Sequence, residues 1–439
     1  MKGATLLALL GAAAFADEPQ MRFLENDRVK VGVDLRVGGA ITWLSRDGGG
    51  NLVNNFDHGR QVQLSFYSGP VPFEAEGQKP SEHWRHLGWN PIQAGDDFGH
   101  GSRIVEERCD GRTIYVKCVP LQWPLNNVPG ECTFESWLEL DGSVVKGRAR
   151  LNNARSDKTQ YAARDQELPA VYANAPYYRV VSYTGERPFT GDSVSVIPKP
   201  QGKHPWAFWI GTEQWSALLD DKDNGIGLIT PGRIRFTGGF AGKPGPNDTR
   251  ASSTGYLASP AQEILDHNIV FEYRYELLPG SLDEIRARAK ANAAALKTLP
   301  SWKFEHDRQG WRIANAQDSG WPISGMLDVS LSSNDPHLTS PYAFWKAEDA
   351  PFLIIEAAFK THHSTATVFW TRHTKSDPQA VNSADFPIQG DGTFLRYVVR
   401  LGQSKSYTGA MIGLRIDPAP DGREGESVRI KSIALSLSE

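Results

Sequence analysis

At 439 residues with a formal net charge of −4, the chain is longer than one hydrophobic core usually supports, so two domains are expected. Hydrophobic residues make up 40% and charged residues 22%, which excludes a disordered chain, and the 42 glycines, 28 prolines and 13 tryptophans favour turn-rich β structure. Charges of both signs are spread along the sequence with no basic stripe to follow a phosphate backbone, so nucleic acid is excluded as a partner and nothing speaks for a membrane surface.

Residues 1–16 read as a secretory signal: Lys2, an apolar run from Ala4 to Phe15, and small Ala14 and Ala16 ahead of Asp17, with cleavage expected after Ala16. The mature chain is therefore expected to be secreted, or periplasmic in a bacterium. No later segment approaches the roughly 20 apolar residues of a membrane helix.

From residue 29 the pattern is that of strands. Val29, Val31, Val33 and Leu35 alternate with Lys30, Gly32, Asp34 and Arg36, and Gly38-Gly39 turns the chain into a second strand through Ile41 to Leu44. Three further stretches read as strand, tight turn, strand, with Asp110-Gly111, Asp141-Gly142 and Asn224-Gly225 at the turns. Ile269, Phe271, Tyr273, Tyr275 and Leu277 share one face of a later strand. The one clear helix follows: Ser281 as N-cap and Glu284 form a capping box before an alanine-rich body that Pro300 stops. Beyond it, short runs such as "FLIIEAAF", "ATVFWTR" and "VRIKSIALSLS" predict a second all-β unit, a sandwich or jelly roll.

Cys109, Cys118 and Cys132 lie close in sequence; Cys109 with Cys118 and Cys118 with Cys132 are rival disulfide pairs. Asn247-Asp248-Thr249 is a glycosylation sequon in a Gly/Pro-rich loop. No phosphate-cradling loop, nucleotide fingerprint or serine-triad motif occurs, so no cofactor is expected.

An early Gly-Gly-x-Ile strand pair, the "NLVN" step, Gly59-Arg60 entering a strand and the late "EQWSALLDDKDNGIGLITPG" hairpin together resemble the galactose mutarotase-like superfamily. That resemblance covers roughly residues 20–280 and implies an antiparallel β-supersandwich over 17–280. A helical linker at 281–300 and a jelly roll resembling a carbohydrate-binding module at 301–439 would follow it. Aldose epimerases of this superfamily use a histidine in a His-aromatic-Asn motif. Here "VYANAPYY" offers Asn174 and the aromatics without the histidine, which argues against plain mutarotation. The implied class is an exported carbohydrate-active enzyme on a polysaccharide or oligosaccharide.

Three stretches carry residues for such chemistry. "RDQELPAVYANAPYYR" offers Glu167 and Asp165 as acid or nucleophile, Arg164 as a grip for a carboxylate, and Tyr172, Tyr177 and Tyr178 as sugar-facing rings. The alternative is a set of solvated charges above core tyrosines. "WRHLGWNPIQAGDDFGHGS" offers Trp89, Asn90 and Gln93 to bind a pyranose and Asp96, Asp97 or His100 to move a proton, against a loop packed by its own aromatics. His83, His86 and His100 are weighed as metal ligands and set aside as hydrogen-bonding side chains, so no metal is expected. Arg60, His204 and Trp206 complete the substrate-binding candidates. In the C-terminal part, His362-His363, Trp345 and Trp370 read as strand edge and core, or as a sugar-binding face.

The leading expectation is a glycoside hydrolase with Glu167 and Asp96 or Asp97 as its carboxyl pair. A second is a lyase in which Arg60 or Arg164 neutralises a uronate and His100 or a tyrosine is the base. A third is a glycan-binding protein without catalysis.

Overall fold

The structure, a computed structural model, describes residues 20–200, 206–293, 298–374 and 382–439. The expected signal at 1–16 and His204 lie outside the described residues. Among these residues the protein is nearly all antiparallel β, in two pairs of sheets.

The first pair contains the predicted hairpins, except that the third turns at residues 221–223 and not at Asn224-Gly225, which already lie in the returning strand with Gly225 opposite Leu219. One sheet runs, in spatial order, through Met21–Glu25, Val29–Asp34, Ala40–Arg46, Val62–Ser65, Arg164–Ala173, Thr254–Ala258, Arg235–Ala241 and Trp206–Ile210. The other includes Arg103–Cys109, Thr113–Val119, Cys132–Asp141, Val144–Asn153 and Val270–Ser281. The turns at Asp110-Gly111 and Asp141-Gly142 fall where hairpin chemistry puts them, with Cys109 opposite Ile114 and Asp141 opposite Val144. Between the sheets lies a core that includes Val31, Leu44, Phe66, Trp89, Phe134, Leu168, Phe236 and Leu277. Ile269, Tyr273, Tyr275 and Leu277 all belong to it, and Phe271 packs against it.

All three cysteines are free thiols. Register explains why. Cys118 faces Ile104 on one side and Phe134 on the other, so Cys109 stands far along the ladder. Cys132 is two residues from Phe134, and such diagonal neighbours are about 7–8 Å apart, beyond the reach of a disulfide.

The helix Leu282–Ala293 begins where its capping box says it should: the Glu284 carboxylate accepts from Ser281 N at 2.8 Å and from Ser281 Oγ at 2.9 Å. It is docked along its length. Ile285 and Ala289 bury against Trp215, Ala217 and Ile229 in a satellite core, and Gly227 makes room, since a Cβ there would lie 2.6 Å from the Ile285 side chain.

The second pair of sheets is built from strands including Phe352–Lys360, Thr365–Arg372, Ala410–Asp417 and Ser427–Ser436. Trp345 and Trp370 are both 3% exposed in its core, which removes them from any sugar-binding face. The two pairs meet through polar groups with little access to water: Arg308 donates to Asp266 at 2.6 Å and to Asp318 at 2.5 Å, and Gln160 donates to both acids.

Candidate active site

The strand Arg164–Ala173 lies in the middle of the first sheet, between Val62–Ser65 and Thr254–Ala258. Its ladder slips between Glu167 and Ala170. In a regular strand, residues three apart point to opposite faces; the extra residue of a bulge restores the face. Leu168 and Val171 therefore enter the core while Glu167, Ala170 and Tyr172 stand on the outer face.

Glu167 is the charged group at the centre of that face. Its carboxylate accepts from the Tyr67 hydroxyl at 2.9 Å and from the Tyr256 hydroxyl. Tyr256 packs against Tyr172 with ring centroids 4.9 Å apart and against Trp206 at 4.8 Å. Register shows how these rings meet: Tyr172 pairs with Tyr256, Tyr256 with Gly239, and Gly239 with Trp206, so the two outer rings close over a position with no side chain. Burial pushes the Tyr67, Tyr172 and Tyr256 hydroxyls well above the usual tyrosine range, and the Glu167 charge pushes the same way. These phenols stay protonated, and those of Tyr67 and Tyr256 donate to Glu167.

Asp165, two residues before Glu167, shares its face and is held by both arms of the Arg235 guanidinium, one of them at 3.1 Å. Arg235 also lies over the rings of Phe208, at 4.6 Å, and Tyr342 of the second sheet pair, at 5.6 Å. Phe208 is 58% exposed, so the face carries an accessible aromatic surface beside its acids.

From Arg235 and Tyr342 the surface continues into a cavity of about 1320 Å³ between the two sheet pairs, lined by Arg233, Glu263, Arg312 and Phe344 among others. Burial pushes the Glu263 carboxyl up to about 7, against the pull of Arg308 and Arg233. Arg233 donates to the carbonyls of Leu168 and Arg274, and its buried Nε has no partner.

The remaining sequence candidates lie elsewhere. Arg164 points to the neighbouring loop, where it donates to the Leu87 carbonyl at 2.7 Å and the His86 carbonyl at 3.2 Å. Arg60 is held by the Ser252 carbonyl, by Asp57 and by the Phe56 ring, close enough for its charge to bear on Tyr172. Trp89 is 1% exposed, with the Arg155 guanidinium over its ring at 4.8 Å. Asn90 donates to the Phe66 carbonyl, and Gln93 bonds Leu64 N and the Gly38 carbonyl. Asp96 is 1% exposed and accepts from Phe98 N, His100 N, His100 Nδ1 and Asn127 N. Asp97 is exposed and accepts from the Trp84 indole at 2.6 Å. The loop is irregular, as expected, and most of its polar groups hold the loop itself. Tyr67, Tyr256, Phe208 and Arg235, which surround Glu167 and Asp165, are the members of this candidate site that the sequence did not point to.

No family model and no curated protein matches the chain. Among solved structures, it is similar to a galactose mutarotase related enzyme from Lactobacillus acidophilus, at 10% identity over 60% of this chain and 98% of that one, with a TM-score of 0.38. A galactose mutarotase-like protein from Lactobacillus casei aligns at 11% identity over 59% and 99%, with a TM-score of 0.36. An alpha-galactosidase from Lactobacillus brevis aligns at 9% identity over 60% of this chain and 39% of its own, with a TM-score of 0.35. At these identities and TM-scores no residue role transfers from them, and the roles below rest on geometry.

Proposed function

We propose that the protein is an exported carbohydrate-active enzyme that hydrolyses a polysaccharide or oligosaccharide on the outer face of its first sheet, with Glu167 and Asp165 as the carboxyl pair. The observation that carries this reading is the Glu167 carboxylate, oriented by two tyrosine hydroxyls among Tyr172, Trp206 and Phe208. Aromatic faces receive the apolar face of a pyranose, and hydrolysis needs two carboxyl groups on either side of the scissile bond. Alternate Cα atoms of a strand are about 6.6–6.8 Å apart, so the two carboxyls rise side by side from one face of it. One carboxyl of the pair delivers a proton to the leaving oxygen while the other takes one from the attacking water, and the phenols hold Glu167 in position. Asp96 drops out of the pair because it is 1% exposed, closed off from a sugar by the backbone and side-chain donors around it.

One observation favours a second reading. The cavity beyond Arg235 is lined by Arg233 and Arg312, a setting for the carboxylate of a uronate glycan and so for β-elimination. It ranks second because the tyrosines beside Glu167 are poor bases. Incubating the protein with neutral and uronate-containing glycans separates the two. New reducing ends without ultraviolet absorbance are the expected result, absorbing unsaturated uronates would establish the lyase, and no product from any glycan would favour a binding protein.

A further inference from the structure

A second cluster lies far from Glu167 in sequence, in the second sheet pair, where His362 and His363 follow the strand Phe352–Lys360 and face the loop that carries Asp421 and Glu426. We infer that His362, His363 and Asp421 form a binding site for a divalent transition metal of the zinc class, with Glu426 as the group that orients the first histidine.

Ligand atoms of the three residues lie within 4.8 Å of one another. His363 Nε2 is 3.3 Å and His362 Nε2 is 3.8 Å from Asp421 Oδ1. A tetrahedral zinc ion with bonds of about 2.0–2.1 Å holds its ligand atoms roughly 3.3–3.4 Å apart, so the cluster needs little movement to close on an ion.

The second observation is independent of that convergence. Glu426 Oε1 lies 2.6 Å from His362 Nδ1 and also accepts from His362 N at 2.9 Å. A carboxylate on Nδ1 makes that nitrogen the N–H and leaves the Nε2 lone pair facing the other two groups, the arrangement that metal-binding histidines have around them. Glu426 is itself fixed, accepting from Arg423 N at 3.1 Å. The Asp421 loop is fastened to the body through Gly422 N, which donates to the Ser333 carbonyl at 2.9 Å. The site is thus built from two anchored segments. Two imidazole nitrogens and one carboxylate suit zinc, cobalt or nickel; calcium and magnesium take oxygen ligands. The Asp421 side chain is 47% exposed, so the fourth position faces water.

The test is metal content after equilibrium dialysis of the full, untagged chain against Zn²⁺, with Ca²⁺ as a control. Wild-type protein should retain one Zn²⁺ per chain and melt several degrees higher with it. His363→Ala and Asp421→Asn should each lose the ion, weakening binding at least tenfold, with their metal-free melting close to that of the wild type. Co²⁺ in place of Zn²⁺ should give the intense visible bands of a tetrahedral ion. Failure to retain Zn²⁺, or retention that persists in both variants, would overturn the assignment; the second outcome would put the ion elsewhere on the chain.

Discussion

Glu263 shows how one residue reports on its surroundings. Its carboxyl is raised from 4.5 to about 7, chiefly by burial at the cavity wall. Between these values the folded chain holds a proton that the unfolded chain has released, so the penalty is absent below about pH 4.5, grows as the pH rises and is complete above 7. Glu263→Gln carries no such penalty. Its stability relative to wild type should improve by about 1–3 kcal/mol between pH 5 and pH 8, measured by urea unfolding at both values. A difference that does not change with pH would contradict the burial. Glu167 was visible in the sequence because an acid next to a proline and several aromatics is unusual. Its partners were not, because Tyr67, just past the strand Val62–Ser65, and Tyr256 lie about 100 and 89 positions away and meet it only through the order of strands in the sheet. Asp96 misled for the opposite reason: composition shows an acid in a glycine-rich loop, but not that three donors of that loop and Asn127 N from another segment already occupy it.

At the scale of elements, local chemistry was the legible part. Asp-Gly turns, alternating valines and the Ser281/Glu284 box are all written within a few residues, and the hairpins and helix start where they say. The bulge after Glu167 is not written that way, since it depends on how Val62–Ser65 slips against the strand. Disulfide pairing failed on the same ground, for register along two ladders keeps the thiols apart. Helix docking gives the prediction that belongs here. Ser281→Ala removes the cap and should cost about 1 kcal/mol. Gly227→Val drives a branched side chain into Ile285 and should cost about 1–3 kcal/mol, more than the cap. Thermal unfolding of both variants checks the order; equal effects would mean that the helix contributes through its end and not its buried face.

For the whole molecule, the question is how two β units act as one. Arg308 answers part of it: 4% exposed, it joins Asp266 of the first unit to Asp318 of the second, with Gln160 bridging both acids. Removing one member of a buried charged set leaves the others without a partner, so Arg308→Leu should destabilise the protein by about 3–5 kcal/mol and open the junction to proteolysis. A resistant junction in that variant would contradict the coupling. Composition pointed to two β units, but the polar seam between them, and the cavity it borders, depend on contacts more than 100 residues apart for Gln160 with Asp266 and Asp318. Tyr342 crosses the same seam to lie over Arg235, so the second unit contributes an edge to the proposed substrate face.

The most direct measurement of the central claim is turnover and glycan affinity in the wild type and in Glu167→Gln, on the best substrate from the glycan set. Loss of the acid should lower kcat by about 10²–10⁴-fold with affinity and melting temperature little changed. Full turnover in Glu167→Gln would contradict the account and remove the outer sheet face as the seat of the reaction.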